Sequence, residues 1–206
     1  ILKNHPVNLK RKANGKRMAN TCWFWGVGSK PGLSPFKEKY GLSGATVTAV
    51  DLVRGIARLA DMETYDVEGA TGTLETNFMG KAKAALTAFD EGHDFCYLHF
   101  EAPDECGHRG EIDRKVKSIE MLDTVLTFVV NGLRARNEEY GVLIMPDHPT
   151  PISTGTHSSA PVPYAIYYSN NERDSGITNL CEKNAQASGV VQEVGFELLD
   201  RFFKGV

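Results

Sequence analysis

Cysteine is sparse in this sequence, and Cys22, Cys96, Cys106 and Cys181 stand far apart with no CxxC pair among them. Reduced thiols are therefore expected, with Cys96 a small buried group inside an apolar run. No apolar run reaches the roughly 18 residues that a membrane-spanning helix needs. The opening Ile1-Leu2-Lys3-Asn4-His5-Pro6 also lacks the form of a secretory signal. A soluble, cytoplasmic protein without a membrane partner is the expectation. Acid is absent from residues 1–20, which carry Lys3, Lys10, Arg11, Lys12, Lys16 and Arg17, whereas the whole chain has a formal charge of −3. The basic stretch has no interleaved aromatics, so it reads as a solvated basic helix and not as a nucleic-acid surface. Gly26-Val27-Gly28 is not followed by the GxGxxG pattern that leads into a helix at nucleotide sites. Internal repeats and low-complexity segments are absent. A starting Met is missing too, and a processed or truncated chain is expected.

What is present suits an α/β protein. At 206 residues, 41% hydrophobic and 24% charged, the chain is long enough for one sizeable core, and we read one domain. Short apolar runs rich in β-branched and aromatic residues alternate with helix-like stretches, which predicts a mostly parallel sheet sandwiched by helices. The predicted strands are Thr21–Trp25, Ala45–Val50, Glu63–Val67, Asp94–Phe100, Val142–Met145 and Pro163–Tyr168. Their near-continuous hydrophobicity suggests burial on both faces. Trp23, Phe24 and Trp25 should therefore pack in the core.

Helices are predicted over about 52–60, with Asp51 as N-cap, and over 77–89, 111–136 and 190–203. The stripes Leu52/Val53/Ile56/Leu59, Ile112/Val116/Ile119/Leu122/Leu126/Val129 and Val191/Val194/Leu198/Phe202 all read as faces packed on the sheet. Residues 169–189 read as a surface connection without special chemistry. Loops rich in Gly and Pro follow predicted strands, at the edge where open α/β sheets place ligands.

Carboxylates and imidazoles gather at two of those strand ends. The run from Phe95 to Phe100 passes directly into Glu101-Ala102-Pro103-Asp104-Glu105-Cys106-Gly107-His108. Asp104 and His108 are four apart, a spacing that puts both side chains on one side of a helical turn, where they can share a metal ion. A second strand ends in Met145-Pro146-Asp147-His148-Pro149, and His157 follows in a loop. Mixed Asp/His ligands suit zinc, manganese or related ions, and two such ions about 4 Å apart can hold and neutralise a phosphoryl dianion in transfer. We therefore expect Asp104, His108, His157, Asp147 and His148 to be metal ligands. His99, inside an apolar strand, is either a satisfied core histidine or a partner that orients a ligand. Glu101 and Glu105 are expected to support the ligands or face solvent. His5 and His93 read as surface residues.

These motifs resemble the cofactor-independent phosphoglycerate mutases of the archaeal type, members of the alkaline phosphatase-like metalloenzyme superfamily. The resemblance rests on Glu101 to His108, Met145 to Pro151, Thr156-His157 and Pro161-Val162-Pro163. It extends upstream through Asn20, Trp23 to Gly28, Ala49 to Ile56, Gly69 to Gly72, Thr76-Asn77 and Gly80-Lys81. It implies an alkaline phosphatase-like fold, incomplete here. It implies one ion on Asp104, His108 and His157 and a second on Asp147 and His148. The second ion's remaining ligands, an Asp and the nucleophilic Ser or Thr, belong to an N-terminal half that this chain lacks.

The chain then corresponds to the C-terminal part of the phosphatase-like domain, with residues 1–20 as the return from an inserted domain. The implied reaction interconverts 3-phosphoglycerate and 2-phosphoglycerate through a phosphoenzyme. It uses two divalent ions (manganese, zinc or cobalt) and does not require 2,3-bisphosphoglycerate. The implied partners are a phosphorylated small molecule and the N-terminal half of the same enzyme, and the isolated fragment should be inactive. A homoserine kinase-like phosphotransferase, a phosphomonoesterase and a non-catalytic metal-binding domain remain the alternatives. Lys30, Arg54 and Lys81 lie in the family-like segments and are candidates to bind the anionic substrate. For Arg54 and Lys81 the competing reading is a solvated helix charge.

Overall fold

The computed structural model describes residues 2–24 and 26–205. The chain divides into two units, residues 1–32 and 33–206. In the first, a 3-10 turn over Leu2–Asn4 leads into α1 (Pro6–Ala13), which His5 caps by accepting from the Val7 amide. Buried Asn8 ties this unit together. Its amide nitrogen donates to the Leu2 and Ala19 carbonyls, both at 2.7 Å, and its oxygen accepts from the Ala19 amide at 2.9 Å. The strand expected over Thr21–Trp25 does not form: residues 21–24 are irregular, and Trp25 lies outside the described residues. Trp23 and Phe24, expected in a core, are each 87% exposed. A strand needs a neighbour to pair with, and the described residues of this unit contain none.

The second unit is built around one short strand. After α2 (Phe36–Tyr40), β1 (Gly44–Val47) is buried at every position, with Ala45 and Val47 at 0% exposure. It is central because it pairs on both sides. One neighbour is β2 (Glu63–Tyr65), with Val47 opposite Tyr65, and the other is β3 (Phe95–Leu98), with Val47 opposite Leu98. Both pairings are parallel, and each requires a helical crossover. Those crossovers are α3 (Asp51–Leu59) and α4 (Phe78–Asp90). Asp51 lies inside the first turn of α3, not at its cap, and Val50 holds the cap position. There the carboxylate still favours the positive end of the helix. Asn77 caps α4 as a side-chain acceptor for the Gly80 amide, at 2.8 Å, and its amide nitrogen reaches the Glu68 carbonyl at 2.9 Å.

Small residues set the packing of α4. Ala82, Ala85 and Ala88 are at most 2% exposed, so the helix lies close against its neighbours. Phe78, Ala82, Ala102 and Val125 form the core, joined by Leu98, Phe100, Met121, Leu122 and Val129. Ala102 begins α5 (Ala102–His108), and Val125 lies in the long α6 (Ile112–Arg134). Only part of the α6 stripe packs as expected, since Ile112, Val116 and Ile119 are more than half exposed. Leu52 and Ile56 on α3 are likewise exposed.

Strands β4 (Gly141–Ile144) and β5 (Ala165–Tyr168) pair with each other, antiparallel. They do not extend the parallel sheet. The segment between them contains no helix, so it turns back and does not cross over. Of the helix predicted over 190–203 only the end forms, as α8 (Leu198–Lys204), while α7 (Glu182–Ser188) is a helix within the stretch expected to be a surface connection. Gly189, at φ +68°, ends α7, and residues 190–194 are irregular with Val190 and Val191 exposed. Away from the functional end of β3, Phe95, Phe36 and Phe203 form an aromatic cluster, with Phe36 and Phe95 stacked at 5.2 Å. All four cysteines are free, and burial pushes the Cys96 thiol up to about 12. No helix among the described residues is long and apolar enough to cross a membrane.

Phe78→Ala should cost roughly 3–5 kcal/mol in urea denaturation, the usual range for emptying a buried aromatic position. A loss below about 1 kcal/mol would mean that the Phe78–Ala102–Val125 cluster is not the core.

Candidate metal centre

The end of β3 turns directly into α5, and this turn places the first two candidate ligands. Asp104 and His108 lie on one helix face, with Asp104 Oδ2 3.2 Å from His108 Nε2. The loop after β4 brings the rest. His157 Nε2 is 3.0 Å from His108 Nε2 and 3.4 Å from Asp104 Oδ1. His148 stacks on the His157 ring with centroids 3.7 Å apart, its Nδ1 4.0 Å from Asp104 Oδ1 and its Nε2 3.3 Å from Asp147 Oδ2. The carboxylate of Asp104 therefore faces three imidazoles. Donor atoms of Asp104, His148 and His157 all come within 4.8 Å of one another. Asp147, whose side chain is 68% exposed, touches the cluster only through His148. The expected division into two ligand sets is thus less sharp in the structure, where His148 lies between them.

Hydrogen bonds fix the orientation that a metal would need. Gly155, at φ +60°, carries its carbonyl to His108 Nδ1 at 2.9 Å. A carbonyl can only accept, so a proton sits on Nδ1, and Nε2 is the nitrogen that faces Asp104 and His157. An imidazole that donates from Nδ1 to a carbonyl is oriented to offer Nε2 to a metal. Nearby cations are engaged elsewhere: Arg109 pairs with Glu105 at 2.6 Å, and Lys115 donates to the Thr150 carbonyl at 2.8 Å. A carboxylate and converging nitrogen donors form a set that fits a divalent transition ion.

Two residues without an expected role hold this arrangement. Thr150, buried, donates its hydroxyl to Asp104 Oδ1 and lies 3.3 Å from His148 Nδ1, so one hydroxyl links α5 to the loop. Gly107 allows the approach. A Cβ there would come within 2.6 Å of the Thr150 carbonyl oxygen, a backbone atom that cannot swing away. The only signal in the sequence was their position inside motifs already under suspicion.

A second polar chain runs behind the cluster. The Val50 amide donates to Thr48 Oγ1 at 3.0 Å, and Thr48 Oγ1 lies 3.0 Å from His99 Nδ1. His99 Nε2 lies 3.3 Å from Glu101 Oε2. His99 is thus satisfied at both nitrogens and touches no candidate ligand directly. Burial, then the charge of Lys81, holds its pKa below the ordinary value. Burial, then Asp104 and Asp147, raises that of Glu101.

The three candidate substrate cations have different surroundings. Lys30 is exposed in irregular backbone of the first unit. Arg54 is held by Asp66 at 2.5 Å and by the Thr48 carbonyl at 3.2 Å, fastening α3 to the end of β1. Lys81 is not a solvated helix charge: it is 1% exposed, with Nζ 4.2 Å above the centre of the Phe100 ring. Burial pushes its pKa down to about 8, against an upward pull from Glu101.

Two predictions follow from these contacts. Gly107→Ala should displace the 149–151 backbone and weaken metal binding at least about tenfold, the scale of effect for disturbed ligand support; calorimetry with Mn²⁺ checks this, and unchanged affinity would contradict it. For Lys81 the folded-state pKa lies below the unfolded value near 10.5, so the unfolded chain binds more protons between those pH values and stability rises with pH there. Lys81→Met should therefore be more stable than wild type by about 3 kcal/mol below pH 8, at roughly 1.4 kcal/mol per pH unit. The gap should close as pH approaches 10.5. Urea midpoints at a series of pH values test this, and a pH-independent difference would contradict it.

Comparison with known proteins fits this geometry. A sequence profile described as the metalloenzyme superfamily matches residues 3–202. A probable 2,3-bisphosphoglycerate-independent phosphoglycerate mutase from Geobacter sulfurreducens is 44% identical over 203 residues, covering 97% of this chain and 50% of the relative. The 2,3-bisphosphoglycerate-independent phosphoglycerate mutase of Methanosarcina barkeri is 42% identical, with 90% of this chain and 47% of the relative covered. Among solved structures, the PH0037 protein of Pyrococcus horikoshii superposes with a TM-score of 0.77 at 34% identity, over 90% of this chain and 48% of that one. The cofactor-independent phosphoglycerate mutase of Thermoplasma acidophilum gives a TM-score of 0.60 at 22% identity, a likeness of fold. The chain spans about half the length of the curated relatives it matches. With the profile covering nearly all of its residues, the chain belongs to the metalloenzyme superfamily.

Proposed function

We propose that this chain carries the metal-binding part of a cofactor-independent phosphoglycerate mutase. The observation that carries the reading is the meeting of the Asp104 carboxylate with the Nε2 atoms of His108 and His157. The names of relatives about twice its length add to it. Asp104, His108 and His157 would hold one divalent ion. Asp147 and His148 would hold a second together with groups outside this chain, among them the nucleophilic Ser or Thr. Manganese, zinc and cobalt all suit the donors.

Bound divalent ions supply Lewis acidity and charge neutralisation to a phosphoryl group in transfer. The protein's own part is orientation. Thr150 fixes the Asp104 carboxylate, and Gly155 orients the His108 ring. Pre-set donors of this kind cost no reorganisation at the moment of reaction. Glycerate phosphates also carry a carboxylate, so a cation beyond the ions is required, and Lys30, Arg54 and Lys81 are the candidates. Arg54, already engaged by Asp66 and Thr48, would need to release a partner to serve.

In calorimetry with Mn²⁺, the chain should bind the ion and His157→Ala should weaken it at least about tenfold. A full-length enzyme carrying this sequence should convert 3-phosphoglycerate to 2-phosphoglycerate without added 2,3-bisphosphoglycerate and stop when a chelator removes the metal. Phosphate transfer to homoserine without isomerisation would favour the kinase-like alternative, and release of free phosphate the phosphomonoesterase. Absence of Mn²⁺ and Zn²⁺ binding would reject the metal centre.

A further inference from the structure

We infer that Lys81 is the seat for an oxyanion of the substrate, a carboxylate or phosphoryl group held by its ammonium. The inference rests on the metal-centre reading for the identity of the substrate, but its physical basis is independent of any metal ligand. Lys81 is 1% exposed, and among the described residues no hydrogen bond or ion pair is found for its ammonium. What it touches is the face of Phe100, 4.2 Å from ring centre to Nζ. A cation over an aromatic face is favourable, but the ring accepts no conventional hydrogen bond from the three N–H donors.

The surroundings sharpen the anomaly. Lys81 lies in the second turn of α4, a helix of 13 residues with no acid in its first turn, so a buried positive charge is placed near the positive end of a helix dipole. Glu101 is the acid whose field reaches it, yet that carboxylate lies 3.3 Å from His99 Nε2 and makes no ion pair with Lys81. Buried charges in folded proteins are paired or serve a ligand.

Position supplies the ligand. Phe100, under the ammonium, is followed by the α5 turn that bears Asp104, so Lys81 and the candidate metal centre share the C-terminal end of β3. A substrate with an anionic group at each end can place one on the metal centre and the other on Lys81. A lysine is suited to this as a compact point charge with three rotatable donors.

The test follows the Lys81 Nζ resonance by NMR while the chain is titrated with sodium glycerate in one arm and inorganic phosphate in another, each with and without Mn²⁺. Affinity for 3-phosphoglycerate is then compared between wild type and Lys81→Met by calorimetry. The expected result is a shifted, slowed-exchange Nζ signal with one of the two anions. Glycerate would identify the carboxylate and phosphate the phosphoryl group. Lys81→Met should lose about 30-fold in 3-phosphoglycerate affinity, the scale of a hydrogen bond to a charged group, with Mn²⁺ affinity within twofold of wild type. An Nζ signal indifferent to both anions, or 3-phosphoglycerate affinity unchanged in Lys81→Met, overturns the inference. Failure of Mn²⁺ to bind is a separate result that removes the metal-centre reading, because the metal-free titrations still decide whether Lys81 holds an oxyanion.

Discussion

The hydroxyl of Thr150 meeting the carboxylate of Asp104 is the contact on which the candidate site depends. Asp104 stands on a short helix fixed by the parallel sheet, whereas His148 and His157 stand on a loop with no regular structure. The loop's own hydrogen bonds, from the Ser158 amide to the Pro149 carbonyl at 3.0 Å and from the Gly155 amide to the Pro151 carbonyl at 2.9 Å, close it on itself without setting it against Asp104. The Thr150 hydroxyl and Lys115, which holds the Thr150 carbonyl at 2.8 Å, seat the loop on α5 and α6. Gly107 makes room for the same carbonyl. The loop then runs back far enough for Gly155 to orient His108. One backbone position thus sets the relation between the two halves of the ligand set.

Behind this contact the parallel sheet acts as a rigid mount. β1 is fully buried between its neighbours, and its end continues through Thr48 to His99 and Glu101. The polar chain thus links the sheet to the start of α5. Phe100 adds a second function by packing on Phe78, with ring centres 5.3 Å apart, and lying under the Lys81 ammonium. A side chain that packs on the core therefore also lies against the Lys81 ammonium. The cost of a buried, unpaired lysine beside it is one that a fold tolerates where a ligand will neutralise it.

Local signals made much of this legible in the sequence. The i, i+4 spacing of Asp104 and His108 placed both on one helix face, and they are together on α5. The helix expected over about 77–89 is present as α4, Phe78–Asp90. The order of elements from β1 through β3 along the chain followed from the alternating patterns, although α4 carries the chain past β1 to its far side. What failed was non-local. Trp23 and Phe24 have strand-like side chains but no strand to join, and they are exposed. β4 and β5 have the composition of parallel strands, but the helix-free segment between them turns them into an antiparallel pair. Residues 190–194 are irregular and Gly195–Glu197 form a 3-10 turn, so the helix that apolar spacing alone suggested begins only at Leu198. Lys81 was visible as a cation, but its burial is a property of the assembled core.

The account stands or falls on whether an ion occupies the space between Asp104 and the imidazoles. The direct measurement is anomalous X-ray scattering from crystals of the chain grown with Mn²⁺ or Zn²⁺. The account predicts an anomalous peak about 2.0–2.2 Å from an Asp104 carboxylate oxygen and from Nε2 of both His108 and His157. A peak elsewhere, or none at saturating metal with these side chains ordered, would contradict it.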